Sequence, residues 1–237
     1  MPVLLLAQGD PAAKDMLRRA IEARYGLRPP AIESLQVDFK GRARVRLGPI
    51  STWVPVEATA RFLFPTSVRW DFTVRPVGVE IQRGVEAFDG TFYRRGRGSH
   101  SPSVIDDAAQ ISSMQSRLWA IAALLLTPLG EQYVKLTVCD DSRLSATNTR
   151  FNNAVELGLR ESGTLDTVTV VCLNPDTDRQ ERFTLQMSDD QSPIGDLMLP
   201  RKVYAFWDDE PYFEVEPVRT ECNPLFEDDV FTLVSGD

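Results

Sequence analysis

The chain of 237 residues has the composition of an ordinary globular protein, with 43% hydrophobic and 25% charged residues. Its formal net charge of −8 and its pI of about 4.8 argue against a nucleic-acid partner, since such partners are held by basic side chains that neutralise phosphates. The same acidity argues against a polybasic protein of the membrane surface. No apolar run is long enough to predict a transmembrane segment.

The first residues of the chain look like the end of a secretory signal. Residues 1–9 are mostly apolar and offer a small-residue cleavage point after Ala7, although they lack the basic start of a complete signal peptide. A short apolar arm is the other interpretation. Asp10 and Pro11 then predict the start of a helix that ends at Gly26. Because no later break in composition marks a linker, residues 10–237 are predicted to form one domain.

The clearest pattern is a strict alternation of apolar and polar residues from Leu35 to Leu47, which predicts one long β-strand with an apolar face. Gly41 in its middle predicts a bend or a bulge.

Similar alternating runs follow at 54–64, 68–74 and 77–81. Pro55 in the first of these runs favours an edge strand or a strand start. Asp89 and Gly90, between apolar residues, are typical of a two-residue hairpin. Together the runs predict an antiparallel meander of five strands.

A basic, glycine-rich segment follows the meander. Residues 94–98 (RRGRG) lack the Lys-Ser/Thr of a phosphate-binding loop, so they predict an exposed flexible loop or a contact for an anionic headgroup or partner. Ser103 and Asp106 predict the capping box of a second helix. Between Ala120 and Leu126 this helix is apolar all round, so it has to be buried on most sides or lie over an apolar cavity.

The rest of the chain again predicts strands, each bounded by Asp, Asn, Gly or Pro. These strands span 134–139, 154–159, 168–172, 183–187, 203–207 and 213–218.

No constellation of residues predicts catalysis or a metal. His100 is the one histidine, and its neighbouring serines on a loop do not hold the geometry of a catalytic triad. The recurring Asp/Glu pairs fall in turns, where Asp is favoured for its local hydrogen bonds. Cys139, Cys172 and Cys222 lack the spacing of a zinc site. They predict either one disulfide with a spare thiol or three buried small side chains. We predict no enzyme, metal or cofactor.

Three segments resemble the periplasmic lipoprotein carriers of the LolA/LolB type and their LppX-like relatives. They are RFLFPTSVRWDF (61–72), AFDGTFYRR (87–95) and VRTECNPLFEDDVFTL (218–233), the last with the family's spacing of Asn223 and Phe231. The resemblance implies a mainly β (α+β) protein: a curved antiparallel half-barrel of about 10–11 strands with helices covering its concave face. Such proteins carry or sense lipid chains without catalysis.

The resemblance also implies an apolar cavity between the sheet and the second helix. Its predicted ligand-binding residues are Phe62, Phe64, Trp70, Phe72, Met114, Leu118, Ile121 and Leu125. One departure is notable, because the best-known carriers have an arginine where this chain has Phe64, directly before the strand-ending proline. Lipoprotein hand-over by an arginine-controlled lid is therefore in doubt.

Two functions remain open from the sequence. The first is a monomeric, exported protein of the periplasm or envelope that binds a lipid or an acylated lipoprotein, with an envelope protein as a further partner. The second is a β-barrel or β-sandwich filled by its own side chains and used for protein contacts. A hydrolase that uses His100 is the weakest alternative.

Overall fold

The computed structural model describes residues 5–47, 50–75, 82–98, 101–227 and 229–233. Within these ranges, 14 strands form one large, curved, open sheet, and two short strands form a separate hairpin. The predicted mainly β half-barrel is confirmed. It contains more strands than the sequence predicted, since short strands, such as the three residues 103–105 before the second helix, carry little alternation.

The strands are β1 (Gln8–Gly9), β2 (Ser34–Leu47), β3 (Ile50–Leu63), β4 (Ser67–Val74), β5 (Gln82–Phe88), β6 (Tyr93–Arg97), β7 (Ser103–Ile105), β8 (Val134–Val138), β9 (Arg143–Asn148), β10 (Asn153–Leu159), β11 (Leu165–Asn174), β12 (Arg179–Met187), β13 (Gln191–Ile194), β14 (Leu197–Pro200), β15 (Val203–Trp207) and β16 (Glu210–Cys222). The α-helices are α1 (Pro11–Tyr25) and α2 (Ala108–Leu125), and a short 3-10 turn (Thr127–Gly130) follows α2.

Two sequential meanders make up the large sheet. Its order is β1-β8-β9-β10-β11-β12-β15-β16-β2-β3-β4-β5-β6-β7, antiparallel except for the pairing of β1 with β8. The last strand, β16, pairs with β2 and so joins the two meanders into one surface. β13 and β14 form the separate hairpin.

The long β2–β3 ladder has the register that the alternation predicts. Leu35 pairs with Phe62 and Val37 with Ala60, so the apolar positions of both strands share one face. That face is buried at all four of these residues. Because a slip of one residue would turn this whole set towards solvent, burial fixes the register.

Gly41 has a different role from the predicted bulge. The ladders of β2 continue past it without a shift in register. β16 passes so close that a Cβ on Gly41 would lie 2.0 Å from the carbonyl oxygen of Glu214. The bulge lies instead on β16, between Pro217 and Arg219. The glycine is therefore needed for close approach of two backbones.

Pro55 and the Asp89 turn also differ from the prediction. Pro55 lies inside β3, a central strand, where its carbonyl oxygen accepts a hydrogen bond from the amide of Arg75 just beyond the end of β4. Proline has no N–H to donate, and at Pro55 this missing donor is on the side of β4, where the β3–β4 ladder has ended. The connection between β5 and β6 has four residues, 89–92, and not two. The predicted run at 77–81 lies outside the described residues.

Helix α1 is tied to the end of α2. Asp10 precedes α1 as predicted, but its side chain accepts a hydrogen bond from the amide of Val138 and makes none to the helix. At the other end, the Tyr25 hydroxyl donates to the Leu125 carbonyl oxygen at 3.1 Å, and the Arg24 guanidinium donates to the carbonyl of Leu124. These bonds satisfy carbonyl groups that the last turn of α2 leaves free.

Helix α2 packs against β10, β11 and β12 on the concave face. The indole N–H of Trp119 donates to the Ala146 carbonyl oxygen at 3.0 Å, and Ser113 Oγ donates to the Leu173 carbonyl oxygen at 2.6 Å. The predicted capping box is wrong: Asp107 is the N-cap residue and accepts from the Gln110 amide, whereas Ser103 belongs to β7. A three-residue strand before the helix displaces its start.

The closing segment and the cysteines complete the fold. Asn223 binds the 31–34 segment through both ends of its amide, accepting from the backbone N–H groups of Glu33 and Ser34 and donating to the Ala31 carbonyl oxygen. All three cysteines are free, so the disulfide alternative is wrong, and of the three only Cys172 is fully buried.

Candidate functional site

The candidate site is the concave face of the first meander. Cross-strand pairing places Phe39, Ala58, Phe72 and Gly84 in one row over four adjacent strands. Paired residues project to the same side of a sheet, and residues two apart on one strand share that side. This row therefore continues the face that carries Val37 and the other buried core residues.

Burial changes along this face. The residues near the start of β2 are fully buried and belong to the same core cluster as buried residues of α1, α2 and the second meander. Further along β2 and its neighbours, most residues of the same face other than Val54 are only half-buried, since α2 covers β10–β12 instead. We name these half-buried apolar residues the concave strip. Its members are Phe39, Val56, Ala58, Trp70, Phe72 and Val215.

Aromatic rings link the buried core to the concave strip. The Phe62 ring contacts those of Phe64 and Trp70 at centroid distances of 5.5 Å each, the first stacked and the second edge-to-face. Trp70 in turn stacks on Phe39 at 6.0 Å. The geometry is that of favourable aromatic pairs. The Phe72 ring lies apart from this group, over Gly84, where a side-chain carbon would collide with it.

The structure brings most of the predicted ligand-binding residues to one side of the sheet. Phe62 is fully buried, and Phe64, Trp70 and Phe72 are half-buried on the same face. On α2, the side chains of Met114, Leu118 and Leu125 are buried and that of Ile121 is half-buried, and all four pack into the same core. Their role in holding a ligand stays a prediction.

The space directly beneath α2 is filled by side chains. Leu118, Leu157 and Val168 are at most 2% exposed and belong to one continuous core. Two surface grooves lie elsewhere. One, of about 650 Å³, is lined by Asp38 and Asp71 and also by Phe39, Ala58 and Phe72 of the concave strip, and another, of about 610 Å³, lies next to Phe231 near the end of the chain.

Polar side chains from four elements converge beside the concave strip. Glu86 on β5 pairs in register with Trp70 on one side and with Arg95 on the other. Arg95 Nε lies 3.0 Å from Glu86 Oε1, and Arg95 Nη2 donates to the Tyr93 hydroxyl at 2.7 Å. Arg117 of α2 interacts electrostatically with Glu86, Tyr93 and Tyr212. We name these residues the polar cluster: Glu86, Tyr93, Arg95, Arg117 and Tyr212.

The polar cluster holds more positive than negative charge at neutral pH. Burial raises the pKa of Tyr212 to about 12, with the Glu86 carboxylate adding to the effect, so this phenol stays neutral. Burial followed by Glu86 likewise raises the pKa of Tyr93. For Arg95 and Arg117, burial opposes the charge, but Glu86 and the neighbouring tyrosines together outweigh burial, and the pKa of each guanidinium is raised. Two charged guanidinium groups thus share one carboxylate.

Sequence reasoning placed the basic segment 94–98 in a loop, which is wrong. Its residues up to Arg97 form β6. Arg94 forms an ion pair with Asp89 on one face of this strand, and Arg95 lies on the concave face. Glu86 and Arg117 were missed altogether. Both residues are charged but stand at positions that the apolar periodicity assigns to the interior, and this mismatch could have revealed them. Glu86 lies between Gly84 and Phe88 on β5, and Arg117 lies next to Leu118 on α2.

The other candidates from the sequence do not form a reactive site. His100 lies outside the described residues. Asp140 accepts hydrogen bonds from Ser142 and Arg143 within one turn, and Asp208 accepts from the Arg182 amide. Among the described residues, no group of three or more His, Cys, Asp or Glu side chains is placed to hold a metal ion. Neither described helix combines the length and apolar character of a membrane-spanning segment.

Comparison with known proteins gives the fold but no sequence relative. Neither family models nor curated protein sequences match the chain. A LolA superfamily protein from Nitrosomonas europaea is similar in structure, with a TM-score of 0.51 and 13% identity over 92% of this chain and 96% of that one. A DUF1329 family protein from Desulfovibrio piger has a TM-score of 0.50 and 11% identity, and covers 95% of this chain and 98% of its own.

A third similar structure is a domain from Vibrio parahaemolyticus named for outer membrane lipoprotein sorting. It has a TM-score of 0.50 and 11% identity over 92% of this chain and 97% of that one. Each match covers nearly all of both chains, so the likeness extends to the whole sheet and its helices. The chain therefore has the fold of the LolA superfamily structures, as the three sequence segments predicted.

Proposed function

We propose that this protein is a non-catalytic carrier or sensor of lipid acyl chains in the bacterial envelope. The observation that carries the proposal is the concave strip: a row of aromatic and aliphatic side chains that are only half-buried. A contiguous apolar patch on a soluble domain is costly to expose and commonly marks a binding site. On a curved sheet, such a patch has the shape of a trough for an extended chain.

Acyl chains suit the concave strip because recognition needs no placed polar group. Each methylene that leaves water contributes about 0.8 kcal/mol, so a long acyl chain gains on the order of 10 kcal/mol before the costs of association. The aromatic rings of Phe39, Trp70 and Phe72 offer flat surfaces to such a chain. The absence of a catalytic motif in the sequence agrees with this type of site.

The envelope location and the class of ligand draw support from the fold. One similar structure belongs to a domain named for outer membrane lipoprotein sorting, and another to the LolA superfamily. The residue before Pro65 is Phe64, which stacks on Phe62 within the aromatic group. We therefore favour carriage of a lipid over lipoprotein hand-over controlled by an arginine at that position.

The first test is the identity of any bound molecule. We expect protein purified from a bacterial envelope fraction to carry a lipid, seen as an added mass by native mass spectrometry and recovered by solvent extraction. After delipidation, it should bind a fluorescent fatty acid. A protein that is free of lipid after gentle purification and has no affinity for fluorescent fatty acids would instead favour the self-filled interaction module, to which the densely packed core beneath α2 points.

The second test separates the two faces of one strand. Phe72→Asp puts a carboxylate on the concave strip, so we expect affinity for a fluorescent fatty acid to fall about tenfold or more, since a buried charge opposes apolar contact. Thr73→Asp adds the same charge one residue away, on the convex face, and should change affinity less than about twofold. Equal effects of the two substitutions would contradict binding at the concave strip.

A further inference from the structure

Arg117 interacts electrostatically with Glu86, but its Nε makes no hydrogen bond to any described residue. It lies in the middle of α2 and is half-buried, and its Nε atom is excluded from solvent. Within the described part of the chain, that atom makes no hydrogen bond, and no carboxylate forms an ion pair with the guanidinium. A guanidinium nitrogen that is removed from water without a hydrogen-bond acceptor is costly, so the Nε of Arg117 is expected to have an acceptor in its functional state.

The surroundings of Arg117 do not supply that partner. The groups that act on it electrostatically are Glu86, Tyr93, Tyr212 and Cys172. Of these, only Glu86 is an anion at neutral pH, and it already forms an ion pair with Arg95. The two tyrosines and the buried thiol stay protonated, since burial raises the pKa of each. Within the polar cluster, one carboxylate thus serves two guanidinium groups, while a second carboxylate, Asp176, acts electrostatically on Tyr212.

The polar cluster adjoins the concave strip. Glu86 and Trp70 are directly paired residues of β4 and β5, and such side chains lie about 5 Å apart on the same face. Gly84, two residues before Glu86, lies under the ring of Phe72. A molecule on the concave strip would therefore place one end next to Arg95 and Arg117. The apolar surface and the surplus positive charge form one continuous site.

We propose that Arg117, together with Arg95, binds the anionic headgroup of a lipid whose acyl chain lies on the concave strip. The shared chemistry is a carboxylate, as in a free fatty acid, or a phosphate, as in a phospholipid. Both match the planar donor fork of arginine, which forms paired charge-assisted hydrogen bonds. This inference rests on the proposed function and adds the class of lipid. The ligand is a lipid with an anionic headgroup, and not a neutral ester or alcohol.

The wild-type protein alone can test this inference by calorimetric titration below the critical micelle concentration of each lipid. We expect oleate to bind at least about tenfold more tightly than oleyl alcohol or methyl oleate, which have the same chain without the charge. A second pair, dioleoyl phosphatidate and dioleoylglycerol, tests in the same way whether the protein recognises a phosphate headgroup. Preference for oleate in the first pair identifies a carboxylate site, and preference for phosphatidate in the second identifies a phosphate site.

The variant Arg117→Gln tests whether Arg117 causes the preference for the anionic lipid over its neutral analogue. We expect its affinity for the preferred anion to fall to the level of the neutral analogue, about tenfold, with the affinity for oleyl alcohol unchanged. Arg117→Lys should recover part of the loss. Arg19→Gln, an exposed change on α1, serves as the matched control and should bind as the wild type does. If Arg117→Gln does not fold, Arg95→Gln takes its place.

The outcomes separate this inference from the proposed function. Equal binding of oleate and oleyl alcohol by the wild type would overturn the headgroup site and leave the carrier intact. The same conclusion follows if Arg117→Gln and Arg95→Gln both fold and keep the full preference for the anion. If none of the lipids binds, both proposals are wrong.

Discussion

Phe62→Ala should lower the free energy of unfolding by about 3–5 kcal/mol, measured by urea denaturation. Phe62 is 1% exposed, and its ring contacts both Phe64 and Trp70. Truncation removes the ring from the core and leaves a cavity that the two neighbouring rings cannot fill without losing their own contacts. The large effect is expected because this ring joins the enclosed core to the concave strip.

Leu63→Ala is the matched control for Phe62→Ala. Leu63 is the next residue of β3, lies on the opposite face and is 41% exposed. Its truncation should change the free energy of unfolding by no more than about 1 kcal/mol. A loss at Leu63 as large as that at Phe62 would mean that the convex face is covered, and that the assignment of faces from the β2–β3 register is wrong.

Gly41→Ala should destabilise the protein to an extent similar to Phe62→Ala. We expect the free energy of unfolding to fall by about 3 kcal/mol, or the variant to fail to fold. A Cβ at this position would lie 2.0 Å from the carbonyl oxygen of Glu214 and 2.8 Å from the Cα of Val215. Both atoms belong to the backbone of β16, so no side-chain rotation relieves the collision. The β2–β16 pairing, which joins the two meanders, would have to separate.

Gly158→Ala provides the comparison for Gly41→Ala. A Cβ on Gly158 would approach the hydroxyl oxygen of Thr167 at 2.4 Å, but the neighbouring backbone stays at 4.0 Å. Rotation of the threonine side chain can relieve this contact, so we expect a loss of about 1 kcal/mol. Thermal or urea unfolding of both variants measures the difference. Similar losses at the two glycines would contradict close backbone approach as the role of Gly41.

Much of the architecture follows from local pattern. The alternation in Leu35–Leu47 is long enough to specify a strand and its buried face without reference to the rest of the chain, and the structure confirms both. Pro11 and Gly26 likewise bound α1, because their backbone preferences act within one turn. Short strands such as β7 escaped prediction, since three residues carry too little periodicity to be distinguished from a loop.

Other features depend on contacts between distant parts of the chain. The pattern could not show that β16 passes against Gly41, or that Pro55 tolerates a central strand because β4 ends beside it. For the same reason, the segment 94–98 looked like an exposed basic loop when it is a strand with Arg95 turned inward. Hydrogen-bonded neighbours across a sheet, and not neighbours in sequence, decide these roles.

By itself, therefore, the sequence of this protein determined an antiparallel sheet with one apolar face, because side-chain alternation is a local property of each strand. Only the tertiary structure decided how that face is used. It placed α2 over the second meander and left the concave strip of the first meander only half-buried. It also gathered Glu86, Arg95 and Arg117 from three elements into the polar cluster beside it, a convergence that depends on cross-strand register and helix packing.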